Sequence, residues 1–220
     1  MQSNKSAPEF AMKNMLAQIM KSGVSNEAVL KVIASVPRHV FVDDALMMKA
    51  YEDITLPIGC DGQTISQPSV VAKMTDLLDL SKNGLKILEI GTGSGYQAAI
   101  LAHFTRRLFT VERWSPLLEL AKKRHKQLGL LDISYRLGDG SVGWPGQGLF
   151  DRIIVTCGAP LTSNPLLDQL AVGGKLLIPV GSRDEQRLTL YTKNADLTIT
   201  TEEFDPVLFV PLIGQHGFGA

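Results

Sequence analysis

Cysteine is nearly absent. Cys60 and Cys157 are the only two in 220 residues, too few for a disulfide framework and without the repeated Cys/His spacing of a zinc site. They read as reduced thiols. Charge of one sign is missing as well: 22 Lys and Arg stand against 22 Asp and Glu, so no overall field would draw the chain onto nucleic acid or an anionic membrane, and neither partner is expected. Nothing approaches the roughly 18 consecutive apolar residues of a membrane span, and the first ten residues, with Lys5 and Glu9, lack the apolar stretch of a secretory signal. A cytoplasmic location is expected. His39, His103, His125 and His216 are scattered, with no second ligand at metal spacing, so no metal is expected. What is present, 45% hydrophobic and 20% charged residues, suits a globular chain with one core. Residues 1–10 read as a disordered tail and 11–220 as a single, monomeric domain whose opening part, 11–50, is helical.

Apolar residues at helical spacing mark residues 12–20, with Gly23 placed to end that helix in a left-handed conformation. A second helix begins at Ser25 or Asn26 and stops before Pro37, because a proline pushes the residue preceding it out of the α region. From residue 85 onward short apolar runs alternate with helical stretches. Residues 87–91, 108–112, 133–137, 152–156 and 175–180 read as strands buried on both faces, separated by helices over 96–104, 116–128 and 165–170. The second of these helices opens with Ser115 as N-cap and Pro116 at its first position. Such alternation predicts an α/β fold, a mostly parallel, doubly wound, Rossmann-like sheet. Residues 187–192 and 207–212 are expected as two closing strands joined through the polar turn at 194–196, at least one of them antiparallel.

The first strand runs into Glu89-Ile90-Gly91-Thr92-Gly93-Ser94-Gly95-Tyr96, and a helix follows. Glycines there allow a tight turn and let backbone N–H groups and a helix N-terminus approach a ligand. A dinucleotide fingerprint wants G-x-G-x-x-G, whereas here the third glycine falls one residue early. The spacing argues against NAD or FAD and toward the G-x-G-x-G loop that methyltransferases set against S-adenosylmethionine. Glu89, Gly91, Thr92 and Gly93 are therefore candidate cofactor residues. Glu112 ends the second strand, where its carboxylate could accept both ribose hydroxyls; a solvated strand-end acid is the competing reading. Asp139, in Gly138-Asp139-Gly140, follows the third strand and could accept from the adenine amino group, or serve only as a turn former. The basic run Lys122, Lys123, Arg124 and Lys126 reads as a solvated helix face, since no aromatics are interleaved with it to stack on bases. Cys157 follows Thr156 and not a proline, and Thr156-Cys157-Gly158-Ala159-Pro160 lacks an Asp-Pro-Pro-Tyr type motif. Nucleic-acid bases are not the expected substrate.

Taken together the chain resembles the protein-L-isoaspartate O-methyltransferases from about residue 15 to about residue 214. The resemblance rests on Val36-Pro37-Arg38, Leu56-Pro57-Ile58-Gly59, Gly62-Gln63-Thr64-Ile65-Ser66-Gln67-Pro68, the glycine loop with Tyr96-Gln97, Gly138-Asp139-Gly140 with Gly143-Trp144, and Phe209-Val210-Pro211-Leu212. Thr64-Ile65-Ser66-Gln67-Pro68 is the most diagnostic of these. The chain departs from the family at Gly59-Cys60-Asp61-Gly62, one residue longer than usual, and at Leu161-Thr162-Ser163.

The resemblance implies a class I methyltransferase that esterifies the free carboxylate of L-isoaspartyl residues in aged proteins and peptides, with S-adenosylmethionine as donor and S-adenosylhomocysteine as product. The ester then closes to a succinimide, whose hydrolysis returns some aspartate. An α-carboxyl has a pKa of roughly 3.3–3.7 and is ionised near neutrality, so the chemistry needs no general base. Alignment is what remains, and it can supply up to about 7–11 kcal/mol of a barrier. The same resemblance makes Ser66 the active-site serine, sets Gln67 beside the cofactor and Arg113 along the adenosine, and includes Gly140 among the cofactor-binding residues. Ser66 also reads as the N-cap of a helix running from Pro68 to Leu78, and the two roles are compatible. A small-molecule carboxylate or amine methyltransferase and a non-catalytic S-adenosylmethionine-binding module are the alternatives.

Overall fold

The computed structural model describes residues 9–59 and 62–219. Cys60 and Asp61, the lengthened part of the loop before Ser66, lie outside the described residues, as do residues 1–8 of the expected tail. Glu9 and Phe10, the rest of that tail, belong instead to helix α1, Glu9–Lys21, which ends where Gly23 turns left-handed at φ 94°. Helix α2, Glu27–Ser35, starts where expected: the Asn26 Oδ1 accepts from the N–H groups of Ala28 and Val29 at 3.1 and 3.3 Å. Two short 3₁₀ turns and a hairpin of β1, Leu56–Pro57, and β2, Thr64–Ile65, lead to helix α3, Pro68–Leu77.

The βα alternation then appears as β3 Lys86–Ile90, α4 Tyr96–Leu101, β4 Arg107–Glu112, α5 Ser115–Gln127, β5 Ile133–Leu137, β6 Phe150–Val155, α6 Asn164–Asp168 and β7 Leu170–Gly181. Strands β8, Gln186–Lys193, and β9, Ile199–Val207, complete a seven-stranded sheet of order β5-β4-β3-β6-β7-β8-β9. Its first five strands are parallel, β8 runs against β7, and β9 runs against β8. Consecutive residues of the central strands enter opposite cores. Ile87, Ile154 and Leu177 pack under α3 and α4, while Leu88, Ile153 and Leu176 pack with Leu166 of α6, all of them fully buried. Burial on both faces is what makes these strands apolar throughout and not alternating.

Two expectations are corrected here. The last strand is Ile199–Val207 and not 207–212, where only an isolated bridge between Gly158 and Pro211 forms. β9 is an edge strand, largely exposed, so its polar Thr-Thr-Glu-Glu run needs ladder bonds to β8 and no buried face. At α5 the N-cap is Trp114, with Ser115 already the first helical residue. The Glu112 Oε1 accepts from the Trp114 N–H at 2.9 Å and holds the entry one residue earlier than a serine cap would.

Candidate active site

After winding outward through β4 and β5 the chain crosses back to β6 on the far side of β3. This reversal is the topological switch point at which open α/β sheets form a ligand crevice beyond the strand ends. A cleft of that kind is present, walled by Gly91, Thr92 and Gly93, by Glu112 and Arg113, and by Ser66. Six of the ten residues expected at the site therefore meet in one space.

The glycine loop is held from behind. Gly91 has φ 96°, and a Cβ there would lie 2.5 Å from Thr156 Oγ1, which itself donates to the Gly91 carbonyl at 2.6 Å. Gly95 has φ 90°, and a Cβ would lie 2.7 Å from His125 Nε2. From α5, Arg124 donates to the Ser94 carbonyl at 3.0 Å and His125 Nε2 to the Gly95 carbonyl at 2.7 Å. His125 Nδ1 then accepts from the Tyr135 hydroxyl at 2.8 Å, and burial lowers the His125 pKa from its ordinary value. Arg124 is thus buried and engaged, not part of a solvated face. With Leu117, Leu118 and Ala121, these two residues form the inward stripe of α5, a spacing that was legible as helical periodicity.

Glu112 is buried, not a solvated acid. Its Oε2 accepts from the Gly93 N–H at 2.9 Å, so the same carboxylate that lines the cleft also draws the loop toward it. Glu89 sits below the cleft floor. Its Oε2 accepts from Thr110 Oγ1 at 2.5 Å, and Thr110 in turn is 2.6 Å from Thr92 Oγ1. Glu89 Oε1 has no partner among the described residues, and burial pushes the carboxyl pKa up to about 8. Glu89 is thereby a largely protonated support behind Thr92.

Asp139 and Gly140 stand one layer outside the cleft wall. Gly140 packs directly on Ile90, which does line the cleft; a Cβ at 140 would lie 2.4 Å from Ile90 Cγ2. The Asp139 Oδ1 accepts from the N–H and hydroxyl of Ser141 at 2.8 and 2.7 Å, and its Oδ2 from the Gln215 N–H at 2.7 Å. Burial works to raise its pKa, but these donors outweigh it and leave the carboxyl below the ordinary value.

On the opposite wall Ser66 is half-buried, and its hydroxyl has no hydrogen-bond partner among the described residues. The expectation that it caps α3 is corrected: Gln67 occupies the N-cap, and no side chain of that residue caps the helix. Gln67 Nε2 instead donates to Ser69 Oγ at 3.2 Å, and the residue faces an adjoining groove shared with Ser66, Phe209 and Val210. Phe209 to Leu212, part of the strand expected over 207–212, line the cleft together with Ile213. Pro211 within that run was the signal, since a proline argues against a central strand. Cys157 also lines the cleft, but burial pushes its thiol far above the usual range and leaves it unreactive.

A glycine-rich turn backed so tightly that side chains are excluded, a buried acid at the next strand end and an apolar flank of Ile90 and Trp114 fit an adenosyl amino acid. Fold and site together define a class I S-adenosylmethionine-dependent methyltransferase. The family model for protein-L-isoaspartate(D-aspartate) O-methyltransferase matches residues 11–217. A protein-L-isoaspartate O-methyltransferase from Hahella chejuensis is 50% identical over 200 residues, 91% of this chain and 94% of that one. Another from Trichlorobacter lovleyi is 50% identical over 211 residues, 96% of each. Among solved structures, a protein-L-isoaspartate O-methyltransferase superposes with a TM-score of 0.83 at 28% identity, covering 94% of this chain and 67% of that one. The Plasmodium falciparum protein-L-isoaspartate O-methyltransferase, solved in complex with S-adenosyl-L-homocysteine, gives 0.79 at 25% identity over 92% and 98%. The chain belongs to the protein-L-isoaspartate(D-aspartate) O-methyltransferase family.

Proposed function

We propose that this enzyme methylates the free carboxylate of L-isoaspartyl residues in damaged proteins and peptides, and that Ser66 orients that carboxylate. Membership of the family along nearly the whole chain disfavours a small-molecule methyltransferase or a non-catalytic module. The observation that carries the reading is the half-buried Ser66 hydroxyl, without a hydrogen-bond partner among the described residues and sharing a cleft with Gly91–Gly93 and Glu112. S-adenosylmethionine, when bound, supplies a methyl group activated by the positive charge on sulfur. Gly91, Thr92 and Gly93 hold its amino-acid part, Glu112 its ribose, and Arg113 flanks the adenosine. Asp139 and Gly140 border the adenine end, Glu89 supports Thr92 from below, and Gln67 closes the side toward the acceptor.

The acceptor carboxylate arrives ionised, so the protein has no proton to remove; its work is to align the oxygen and keep water out. Ser66 donates to the carboxylate oxygen that does not react. We further propose that the enzyme acts as a cytoplasmic monomer on polypeptides, without nucleic acid, membrane or metal. No helix among the described residues is long and apolar enough to cross a membrane. Incubation with methyl-labelled S-adenosylmethionine and matched aspartyl and isoaspartyl peptides tests the activity. Base-labile methyl ester on the isoaspartyl peptide alone is expected, and equal labelling of free small acids would sink the proposal.

A further inference from the structure

A helix start leaves backbone N–H groups without partners, and the one at the second helical position is the usual target of a capping oxygen. In α3 the first position is Pro68, which has no N–H, and the second is Ser69. The side chain of its N-cap, Gln67, makes no capping bond. The acceptor comes from elsewhere: the Ser69 N–H donates to Asp53 Oδ1 at 2.8 Å, across a sequence separation of 16. A carboxylate also suits the positive end of the helix dipole.

The loop that carries Asp53 is fixed in turn by Arg38. This side chain is fully buried, its Nε donates to the Ala50 carbonyl at 2.8 Å, and its guanidinium lies 4.9 Å from the centre of the Tyr96 ring. Tyr96 is the first residue of α4, directly after the glycine loop. Arg38 therefore touches both the loop that caps α3 and the helix that carries the cofactor turn.

We infer that Asp53 is a positioning residue for Ser66: by capping α3 from a distance it fixes the turn that aims the serine, and Arg38 sets that turn against the glycine loop. Ser66 stands three residues before the bonded N–H, joined to it through a rigid Gln67-Pro68 link. A local cap by Ser66 would have tied its hydroxyl to the helix; with the remote cap the hydroxyl has no partner among the described residues and can meet the acceptor. The inference rests on the orienting role of Ser66 proposed above.

The test is a set of steady-state kinetics on the full-length enzyme with isoaspartyl peptide, together with S-adenosylhomocysteine binding. Displacement of a reacting group by about 1 Å can cost on the order of 100-fold, so Asp53→Ala is expected to lower kcat at least about tenfold while the S-adenosylhomocysteine Kd stays within about twofold. Asp53→Asn keeps an oxygen that can accept from the Ser69 N–H and should recover most of the rate. Combined with Ser66→Ala, Asp53→Ala should add little further loss, because both changes remove one function. Parental kcat in Asp53→Ala beside a slow Ser66→Ala, or losses that multiply in the double variant, would overturn the relay alone. Parental kcat in Ser66→Ala would overturn the reading of Ser66 and the relay with it. Hydrogen exchange on the unaltered enzyme needs no variant to fold: a protected Ser69 amide supports the cap, and one exchanging at the unstructured rate overturns it.

Discussion

The two walls of the cleft are built in opposite ways. The wall proposed to hold the cofactor comes from one continuous βαβ stretch: the turn after β3, the end of β4 and the stripe of α5 behind them, with Gly93 bonded to Glu112 and Gly95 to His125. The wall proposed to meet the acceptor is gathered from the two ends of the chain: Ser66, on a segment supported by Asp53 and Arg38, lies before the sheet, and Phe209 to Ile213 lie after it. A wall made within one supersecondary unit is rigid because each piece is a short loop away from the next. A wall made from distant segments depends on long-range bonds, and a single one of them can set its geometry.

The contrast breaks most sharply on the cofactor side at Gly95. Alanine there would have to hold a left-handed backbone, costing about 1–3 kcal/mol, and would also displace His125. Gly95→Ala is expected to show the largest losses of both thermal stability and S-adenosylhomocysteine affinity, read by calorimetry. An alanine variant that melts and binds like the parent would show that the loop is not held as described. On the acceptor side Ser66→Ala should lower kcat by up to about 100-fold. Since Ser66 does not cap α3, its melting temperature should stay close to parental, the change in stability falling within about 0.5 kcal/mol. A clear drop in stability would return Ser66 to a structural role.

Smaller effects sharpen the same division. Glu112→Gln removes the charge that faces the cleft and accepts from two backbone N–H groups, and should weaken cofactor binding by about 1–3 kcal/mol with little change in the acceptor KM. Glu89→Gln should act mainly on the pH dependence of stability. The folded-state pKa of Glu89, about 8, lies above its ordinary value of 4.5, so across that window the native state holds a proton that the unfolded chain has released. The group therefore costs stability progressively as pH rises between those values. One pKa unit corresponds to about 1.4 kcal/mol, so Glu89→Gln should gain at least about 1 kcal/mol relative to the parent between pH 5 and pH 8. Parallel stability curves would contradict a buried, protonated Glu89.

This division also explains what could be read from the residues in order. The four inner parallel strands, the glycine loop and Glu112 were legible because burial on both faces and turn chemistry leave local marks. Strand β9 was not, because an exposed edge needs no apolar pattern. Phe209 to Leu212 looked like a strand because their apolar character serves the cleft wall. The true partner of the α3 terminus was hidden for a different reason: in sequence Ser66 reads as a local cap, whereas Gln67 holds that position and only the fold brings Asp53 to the Ser69 N–H. Asp139 was visible as an acid in a glycine turn, yet nothing local announced that the Gln215 N–H would claim one of its oxygens.

The separation of the two walls is tested most directly by titrating S-adenosylhomocysteine into Ser66→Ala and Glu112→Gln side by side by calorimetry. Ser66→Ala is expected to bind with the parental Kd while Glu112→Gln binds at least about tenfold more weakly, a difference of about 1.4 kcal/mol. A Ser66→Ala enzyme that loses cofactor affinity as severely as Glu112→Gln would contradict a cleft in which one wall holds the cofactor and the other aims the acceptor.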